Sequence, residues 1–296
     1  MIEDKLYQAL QQTPASEYMA RFKQTAGSDM DPAVFYQFAP NDKNAGWPLG
    51  PQYPRMTYNI DWHDDPQRKT SGLLTIDLLC RAEDAKPPES IAPALAEDLS
   101  QIFLTDADET VSIVWRNTEY FEETASNGPK IIGATLLFDV WAFPAQKTGV
   151  AGDPVECVMR FIKDMEPQVK MMGTDSLQDI DRATDISPVI YVRLKSNTAR
   201  LRDTYATQWF DAIMGIHIIA KTPAARQAWA ETVCRDIARK AEYLMDNGRT
   251  MRFITIAAAF SANPLETGQL TLTTQYGVLT QPKAAPLMNH INLSRR

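Results

Sequence analysis

The chain has 296 residues, of which 44% are hydrophobic, and its formal charge is −7 at pH 7. This length favours two domains. The negative net charge argues against a protein that binds a nucleic-acid backbone through clustered Lys and Arg side chains. Three scattered cysteines exclude a disulfide framework, and no apolar run reaches the ~20 residues that cross a bilayer. The acidic start lacks the features of a signal peptide, so we expect a soluble protein made in a cytoplasm, with no membrane partner.

The first half predicts a helix, three strands, a second helix and a hairpin. The amphipathic start "EDKLYQALQQ" is typical of a helix, and the strands "FYQFAP", "PRMTYNIDW" and "LLTIDLLCRA" follow it. We expect these three strands to form an antiparallel meander. Apolar residues then recur at helical intervals from Ile91 to Phe103, and "TVSIVWRNTEYFEE" and "GATLLFDVWAF" have the alternation of paired strands.

The second half repeats this order of elements. The strand "IMGIHIIAKT", residues 213–222, matches "LLTIDLLCRA", residues 73–82, with apolar residues at five common positions and a cation at one. Before it come a helix from Asp153 to Glu166 and the strands "PVIYVRLK" and "YATQWFDAIM". After it come a helix marked from Trp229 to Leu244 and the strands "MRFITIAAAF" and "GQLTLTTQYGVLT". Conserved order and spacing indicate a tandem duplication. The alternatives are one α+β domain with coincidental strands, or two unrelated domains.

The predicted fold class is α+β, with two similar domains. Each domain is a mainly antiparallel sheet with one long helix packed on a face and a leading helix. We place the first domain at residues 1–147, the second at 148–283 and a C-terminal tail at 284–296. The boundary falls in "FPAQKTGVAGDP", where glycines interrupt the strand pattern and Asp153 can cap the next helix.

The sequence carries no motif of a known catalytic centre. It has no phosphate-binding loop, dinucleotide fingerprint, nucleophile elbow or zinc-protease motif, so we expect no enzyme, no cofactor and no metal. The cluster Asp61–Asp65 in "DWHDDP" does combine an imidazole with carboxylates, the groups that a divalent cation or an acid–base pair requires. Its position between two strands favours a solvated hairpin turn.

Other titratable groups also favour structural interpretations. His217 and Asp77 occupy matching positions of the two similar strands, and we expect both on the polar face. The carboxylates Asp175, Asp179, Asp181 and Asp185 lack the glycine of a calcium-binding loop and predict a solvated loop.

Large aromatic side chains provide the candidate interaction surface. Trp115, Trp141 and Trp209 lie near strand ends, where we favour core positions over anchors of a subunit interface. The Pro-rich stretch around Trp47 and Tyr53 is expected to be exposed, where it could bind a partner. The complete set of possible interface residues is Trp47, Tyr53, Trp62, His63, Asp64, Asp65, Trp115, Trp141 and Trp209.

Each half resembles the tail-terminator and tail-completion (neck) proteins of long-tailed bacteriophages. The resemblance lies in element order and in "MTYNIDWHDD", "GLLTIDLLCRAED", the helix from Ile91 to Phe103 and "GATLLFDVWAF". It implies a structural virion protein, assembled in the host cytoplasm, that forms a ring, caps the tail tube and joins it to the head. The implied partners are tail tube and head-completion proteins.

The chain departs from that family in its apparent second copy. Family members usually have one domain and assemble as hexamers, whereas a tandem copy predicts a trimer whose six domains have pseudo-sixfold symmetry. The acidic balance suits a channel through which DNA passes without specific binding. Two other functions stay open: a metal-binding protein or enzyme that uses Asp61–Asp65 with His217, and a two-domain module that binds a peptide or protein.

Overall fold

The computed structural model describes residues 1–24, 29–48, 52–63, 70–84, 86–124, 130–145, 152–173, 177–200 and 207–279. Contacts divide the chain into two compact units. The first unit comprises residues 1–147, 168–191 and 218–226, and the second unit comprises residues 148–167, 192–217 and 227–296. Within the described ranges, no helix has both the length and the apolar character needed to span a membrane.

The elements follow in chain order. Residues 1–145 form α1 (Ile2–Gln12), a 3₁₀ helix (Pro14–Tyr18), β1 (Arg21–Phe22), β2 (Asp31–Pro32), β3 (Val34–Tyr36), β4 (Arg55–Trp62), β5 (Gly72–Arg81), α2 (Pro88–Leu99), β6 (Ile102–Thr105), β7 (Glu109–Thr124) and β8 (Lys130–Pro144). Residues 152–279 form α3 (Pro154–Met165), β9 (Lys170–Met171), β10 (Ile180–Arg182), β11 (Val189–Ala199), β12 (Thr207–Ile219), α4 (Pro223–Lys240), β13 (Glu242–Leu244), β14 (Thr250–Ala258) and β15 (Leu270–Leu279).

A seven-stranded sheet in the order β10-β6-β7-β8-β5-β4-β3 carries the core of the first unit. Alternate residues of β5 face this core: Leu74, Ile76 and Leu78 are fully buried, while their neighbours are partly exposed. Helices α1 and α2 bury one apolar face each in the same cluster. Fully or almost fully buried members of this cluster include Leu6, Leu10, Ile91, Leu95, Leu136 and Phe138.

A six-stranded sheet has the order β13-β14-β15-β12-β11-β9. Helix α3 packs through Phe161, whose ring lies 5.2 Å from that of Phe253 and 5.3 Å from that of Tyr243. The helix begins as the sequence predicts, because the Asp153 side chain accepts a hydrogen bond from the Val155 backbone N–H at 2.8 Å. The α+β fold class is therefore confirmed, with two sheets of similar size and helices against them.

The two sheets share one topology. Read from β6, the larger sheet runs β6-β7-β8-β5-β4-β3, and the smaller runs β13-β14-β15-β12-β11-β9 in the same sequence of elements. Along the chain, α1 precedes β3 and α3 precedes β9. Helix α2 connects β5 to β6, and α4 connects the equivalent strands β12 and β13. Strand β10 is an additional edge strand of the larger sheet. Strands β7 and β14 occupy the same place and each contains a β-bulge, after Trp115 and after Phe253.

The predicted antiparallel meander is wrong in its first pairing. Strand β3 runs parallel to β4, with Val34 opposite Met56, whereas β4 and β5 are antiparallel. The connection of residues 37–54 is long enough to return to the same end of the sheet, as a parallel pair requires. The predicted strands "YATQWFDAIM" and "IMGIHIIAKT" are also one continuous strand, β12, which pairs with β15 from Thr207 to Ile216 without a shift.

Both central helices end earlier than the periodicity predicts. Helix α2 ends at Leu99, and Gln101 then adopts a left-handed φ of 63° before β6 begins. Helix α4 ends at Lys240, and Ala241 has a φ of 58° before β13 begins. In each case the backbone of the left-handed residue bonds to the second strand after the helix, β7 or β14: Gln101 N–H donates to the Ile113 carbonyl, and Phe253 N–H donates to the Ala241 carbonyl, both at 2.7 Å. The apolar residues that follow therefore belong to strands β6 and β13 and do not extend the helices.

Candidate interaction surface

Trp47 and Tyr53 do not lie on an exposed surface, which corrects the expectation from the Pro-rich segment. The Trp47 ring is 8% exposed and packs against Phe22 and Phe35 at centroid distances of 4.8 and 5.8 Å. Tyr53 is 7% exposed and lies beneath the guanidinium of Arg55 at 4.3 Å. Trp47 thus belongs to a small cluster with Phe22 and Phe35, and Tyr53 is buried apart from it, so these two side chains are not available to a partner.

The described part of the predicted cluster Asp61–Asp65 begins at the end of β4, where Asp61 pairs with Leu73 and Trp62 with Gly72 of β5. Trp62 is 37% exposed and its indole N–H donates to Glu3 Oε1 at 3.2 Å. Asp64 and Asp65 lie outside the described residues, and the described ranges contain no group of three His, Cys, Asp or Glu side chains that could hold a metal.

His217 is buried, which corrects the expectation that it lies on a polar face. Its ring is 2% exposed, and Nδ1 lies 2.7 Å from the carbonyl of Pro264, to which a protonated Nδ1 donates. Burial lowers the pKa of His217 to about 4, against the opposing effect of the Pro264 carbonyl, and the positive charges of Arg193 and Lys195 lower it further. The imidazole is therefore neutral at pH 7. Asp77, by contrast, is partly exposed and accepts a hydrogen bond from Thr135 Oγ1 at 2.6 Å.

The acidic series is not a simple solvated loop, because its middle forms strand β10, paired antiparallel with β6. The Asp179 carboxylate lies 3.1 Å from Lys5 Nζ, and that of Asp181 lies 2.5 Å from Lys170 Nζ. Asp185 accepts a hydrogen bond from Thr222 N–H at 2.8 Å. Asp175 lies outside the described residues. The three described carboxylates thus hold chain segments together within the first unit.

Two of the three thiols are sequestered in the interior. Cys80 and Cys157 are buried, and burial raises the pKa of each thiol to about 12, whereas Cys234 is partly exposed. We expect a thiol reagent at pH 8 to modify Cys234 rapidly and the other two only after denaturation, because the thiolate is the reactive form. The Cys234→Ser variant should lose the rapid phase. Rapid modification of two or three thiols in the folded protein would contradict this assignment.

The tryptophans near strand ends divide into two groups. Trp115 is 46% exposed, so the favoured core position is wrong for this residue. Trp141 in β8 and Trp209 in β12 are partly buried, and Trp209 lies opposite Gly277 of β15. Trp115 is therefore the member of this group that is best placed to meet a partner.

Trp115 lines a groove between α2 and β7, which we call the α2–β7 groove. Its volume is about 540 Å³, and its walls are Pro93, Ala96, Glu97 and Ser100 of the α2 region and Trp115, Asn117, Thr118 and Tyr120 of β7. The helical residues lie three and four positions apart and so share one face. Tyr120 is 50% exposed, so both large rings of the groove are open to solvent.

The β-bulge in β7 shapes this groove. Trp115 pairs with Phe138 and Asn117 with Leu137, so an additional residue stands between them and redirects the side chains. The Trp115 indole N–H donates to Thr118 Oγ1 at 3.0 Å. Strand β6 pairs with β7 only as far as Ile113, and no described strand pairs with the outer edge of β7 beyond it. Sequence reasoning missed Tyr120 and Pro93, although the apolar alternation of β7 does stop after Trp115.

Comparisons with protein-family models and with curated proteins give no relative from which a function can be transferred. No protein-family model matches the chain, and no curated protein matches it. Its function has to be inferred from the fold and the surface of the chain itself.

Proposed function

We propose that this chain is a structural protein of a bacteriophage or prophage tail. In this role it is a ring-forming tail terminator or neck component that caps the tail tube and joins it to the head. The observation that carries the proposal is the topology shared by the two sheets. The resembled family usually contributes one such domain per chain to a hexamer, and a chain with two units supplies six domains from three chains.

A duplication of one ancestral unit explains why strand order, helix positions and a bulge in the same strand recur together. Residue identity between the halves is low, whereas these features follow from backbone pairing and survive sequence change. The left-handed residues Gln101 and Ala241, each next to a short strand, add to the correspondence.

The charge of the chain suits this role. With a net charge of −7, a ring of this protein repels the phosphate backbone, so DNA can pass through its channel without specific binding. The proposed partners are the tail tube on one side and head-completion proteins on the other, and the proposed location is the virion.

Two burial observations weigh against parts of the alternative functions. A contribution of His217 to a metal-binding or catalytic site with Asp61–Asp65 would require an accessible imidazole, but the His217 ring is 2% exposed and faces the Pro264 carbonyl. A binding module built around Trp47 and Tyr53 would require exposed rings, and both are buried.

Deletion of the gene from the phage or prophage that encodes it tests the proposed function. We expect particles with unjoined heads and with tails of irregular length, since nothing would stop the tube or connect it. Supplying the intact gene in trans should restore joined particles of uniform tail length in electron micrographs. Normal joined particles in the deletion strain would overturn the proposal.

A further inference from the structure

We propose that the α2–β7 groove is a peptide-binding site, in which an extended segment of a partner protein adds a strand to the outer edge of β7. The segment that fits this site has apolar side chains at alternate positions and Lys or Arg between them. The inference goes beyond the proposed role in phage tails and does not depend on it. All the residues that line the groove belong to the first unit.

The first observation is an open strand edge beside a helix. Strand β6 pairs with β7 only from Thr110 to Ile113, and in the described part of the chain no strand pairs with the same edge of β7 from Val114 to Glu123. Unpaired N–H and C=O groups along such an edge are a template for another strand. At ~3.3 Å per residue this stretch spans roughly 33 Å, which accommodates an added strand of about ten residues.

The second observation is the apolar lining beside that edge. Pro93 and Ala96 of α2 and the rings of Trp115 and Tyr120 line the groove, and both rings are about half exposed. In an added strand, alternate side chains point to one face and enter neighbouring pockets, while the backbone bonds to the edge. A segment with a period of two therefore fits the site, whereas a helix has no backbone groups to offer β7.

The third observation is the charge around the groove. Helix α2 has three acidic residues and no cation. Strand β7 has four acidic residues and one cation, Arg116, and three of the acidic residues lie on the open stretch: Glu119, Glu122 and Glu123. The cationic side chains of a partner strand are therefore attracted to this edge and steered towards it.

Nearby lysines offset only part of this negative charge. Lys130 Nζ lies 2.8 Å from a carboxylate oxygen of Glu122, and Lys221 Nζ lies 3.9 Å from one of Glu97. All four side chains are about half exposed or more, so these ion pairs are weak and are screened by salt. The groove thus keeps an acidic balance that favours a basic partner.

The equivalent place in the smaller sheet has the opposite charge. Helix α4 has four cations and two acidic residues, and β14 has one Arg and no acidic residue. A cationic strand is repelled there, and this difference gives specificity for the α2–β7 groove. Ile254, which follows Phe253 at the bulge of β14 and is 53% exposed, offers a matched control for Trp115.

Selection from a random peptide library displayed on yeast tests the chemistry of the partner. The library, of peptides about ten residues long, is first depleted on a full-length variant with Trp115→Ala and Tyr120→Ala and then selected on the natural chain. We expect the enriched sequences to alternate apolar residues with Lys or Arg. The proposal is overturned if no peptide is enriched, or if the enriched sequences have helical spacing or carry mainly Asp and Glu.

A synthetic copy of an enriched peptide then measures the contribution of the groove. Its affinity should fall roughly tenfold or more for the Trp115→Ala and Tyr120→Ala variant, and should stay unchanged for Ile254→Ala. Because the rings are half exposed, their removal should leave the circular dichroism spectrum intact. Equal loss of affinity in the two variants would contradict binding at this groove.

Hydrogen exchange on the full chain locates the bound peptide. Saturation with the peptide should slow the exchange of alternate amides within residues 116–123 roughly tenfold or more, while residues 254–258 stay unchanged. Unchanged exchange of residues 116–123 would overturn the proposal. Slow exchange of the same amides without peptide, increasing with protein concentration, would assign the edge to a second copy of the chain and would overturn the proposal as well.

Two peptides methylated at alternate backbone nitrogens, one in each register, test the strand itself. Both keep all their side chains, but only one has its methyl groups on the nitrogens that face β7. That peptide should bind roughly tenfold more weakly than the other, because it loses the hydrogen bonds to the edge. Equal affinity of the two methylated peptides would show that no strand is added to β7.

Discussion

Acidification from pH 7 to pH 4 should lower the free energy of unfolding by about 3 kcal/mol through His217 alone. The folded pKa of His217 is about 4 and its ordinary value is 6.5. At a pH between these two values, the His217 side chain is mostly protonated in the unfolded chain and mostly neutral in the folded chain. The contribution is therefore fully present above pH 6.5 and is lost as the pH falls towards 4. Burial of the ring is the main cause, so the loss belongs to the folded core.

The His217→Gln variant isolates this effect from the titration of carboxylates. Glutamine is neutral at every pH and retains an N–H donor that can reach the Pro264 carbonyl. Urea unfolding at pH 7 and pH 4 should show that the natural chain loses about 3 kcal/mol more than the variant over this interval. Parallel losses in the two proteins would mean that His217 is protonated in the folded state or exposed to water.

Replacement of Gly268 by Ala should destabilise the chain by about 3 kcal/mol or more. Gly268 has a left-handed φ of 73°, and a Cβ atom would lie 2.7 Å from the Ile216 carbonyl oxygen and 3.1 Å from His217 Cδ2. The backbone is held at this distance, since Gln269 N–H donates to the same carbonyl at 3.1 Å. The substitution therefore combines an unfavourable φ with a collision against backbone atoms that cannot rotate away.

Gly248→Ala is the matched control. Gly248 has a φ of 74°, but a Cβ atom there meets nothing within 4 Å. This variant should lose only the ~1 to 2 kcal/mol that a left-handed conformation costs an L-residue. Thermal unfolding of the two variants should thus separate conformational strain from collision. Equal losses would show that the backbone around Ile216 moves to accommodate the methyl group.

Sequence patterns predicted the elements that follow local periodicity. The strand "LLTIDLLCRA" has Leu74, Ile76 and Leu78 in the core, and its counterpart has Met214, Ile216 and Ile218 there, all fully buried. The order of elements in each half and the helix cap at Asp153 could be predicted from the sequence for the same reason. Each depends on side chains that are neighbours along the chain.

Features set by distant contacts were not predictable in this way. The helices end next to Gln101 and Ala241, which have a left-handed φ although neither is a glycine, so the sequence does not mark these ends. The apolar residues that follow them are compatible with a helix as well as with a strand. The burial of His217 depends on the Pro264 carbonyl, 47 positions away. The α2–β7 groove depends on a bulge that only the pairing of β7 with β8 reveals.

The mass of the assembled protein in solution tests the central claim most directly. Native mass spectrometry of the full chain should show three copies of the 33.2 kDa chain, about 100 kDa in total. Class averages of the same particles by electron microscopy should show a closed ring with six similar lobes. A stable monomer of 33.2 kDa, or a ring of six chains, would contradict the account of two units per chain closing a six-domain ring.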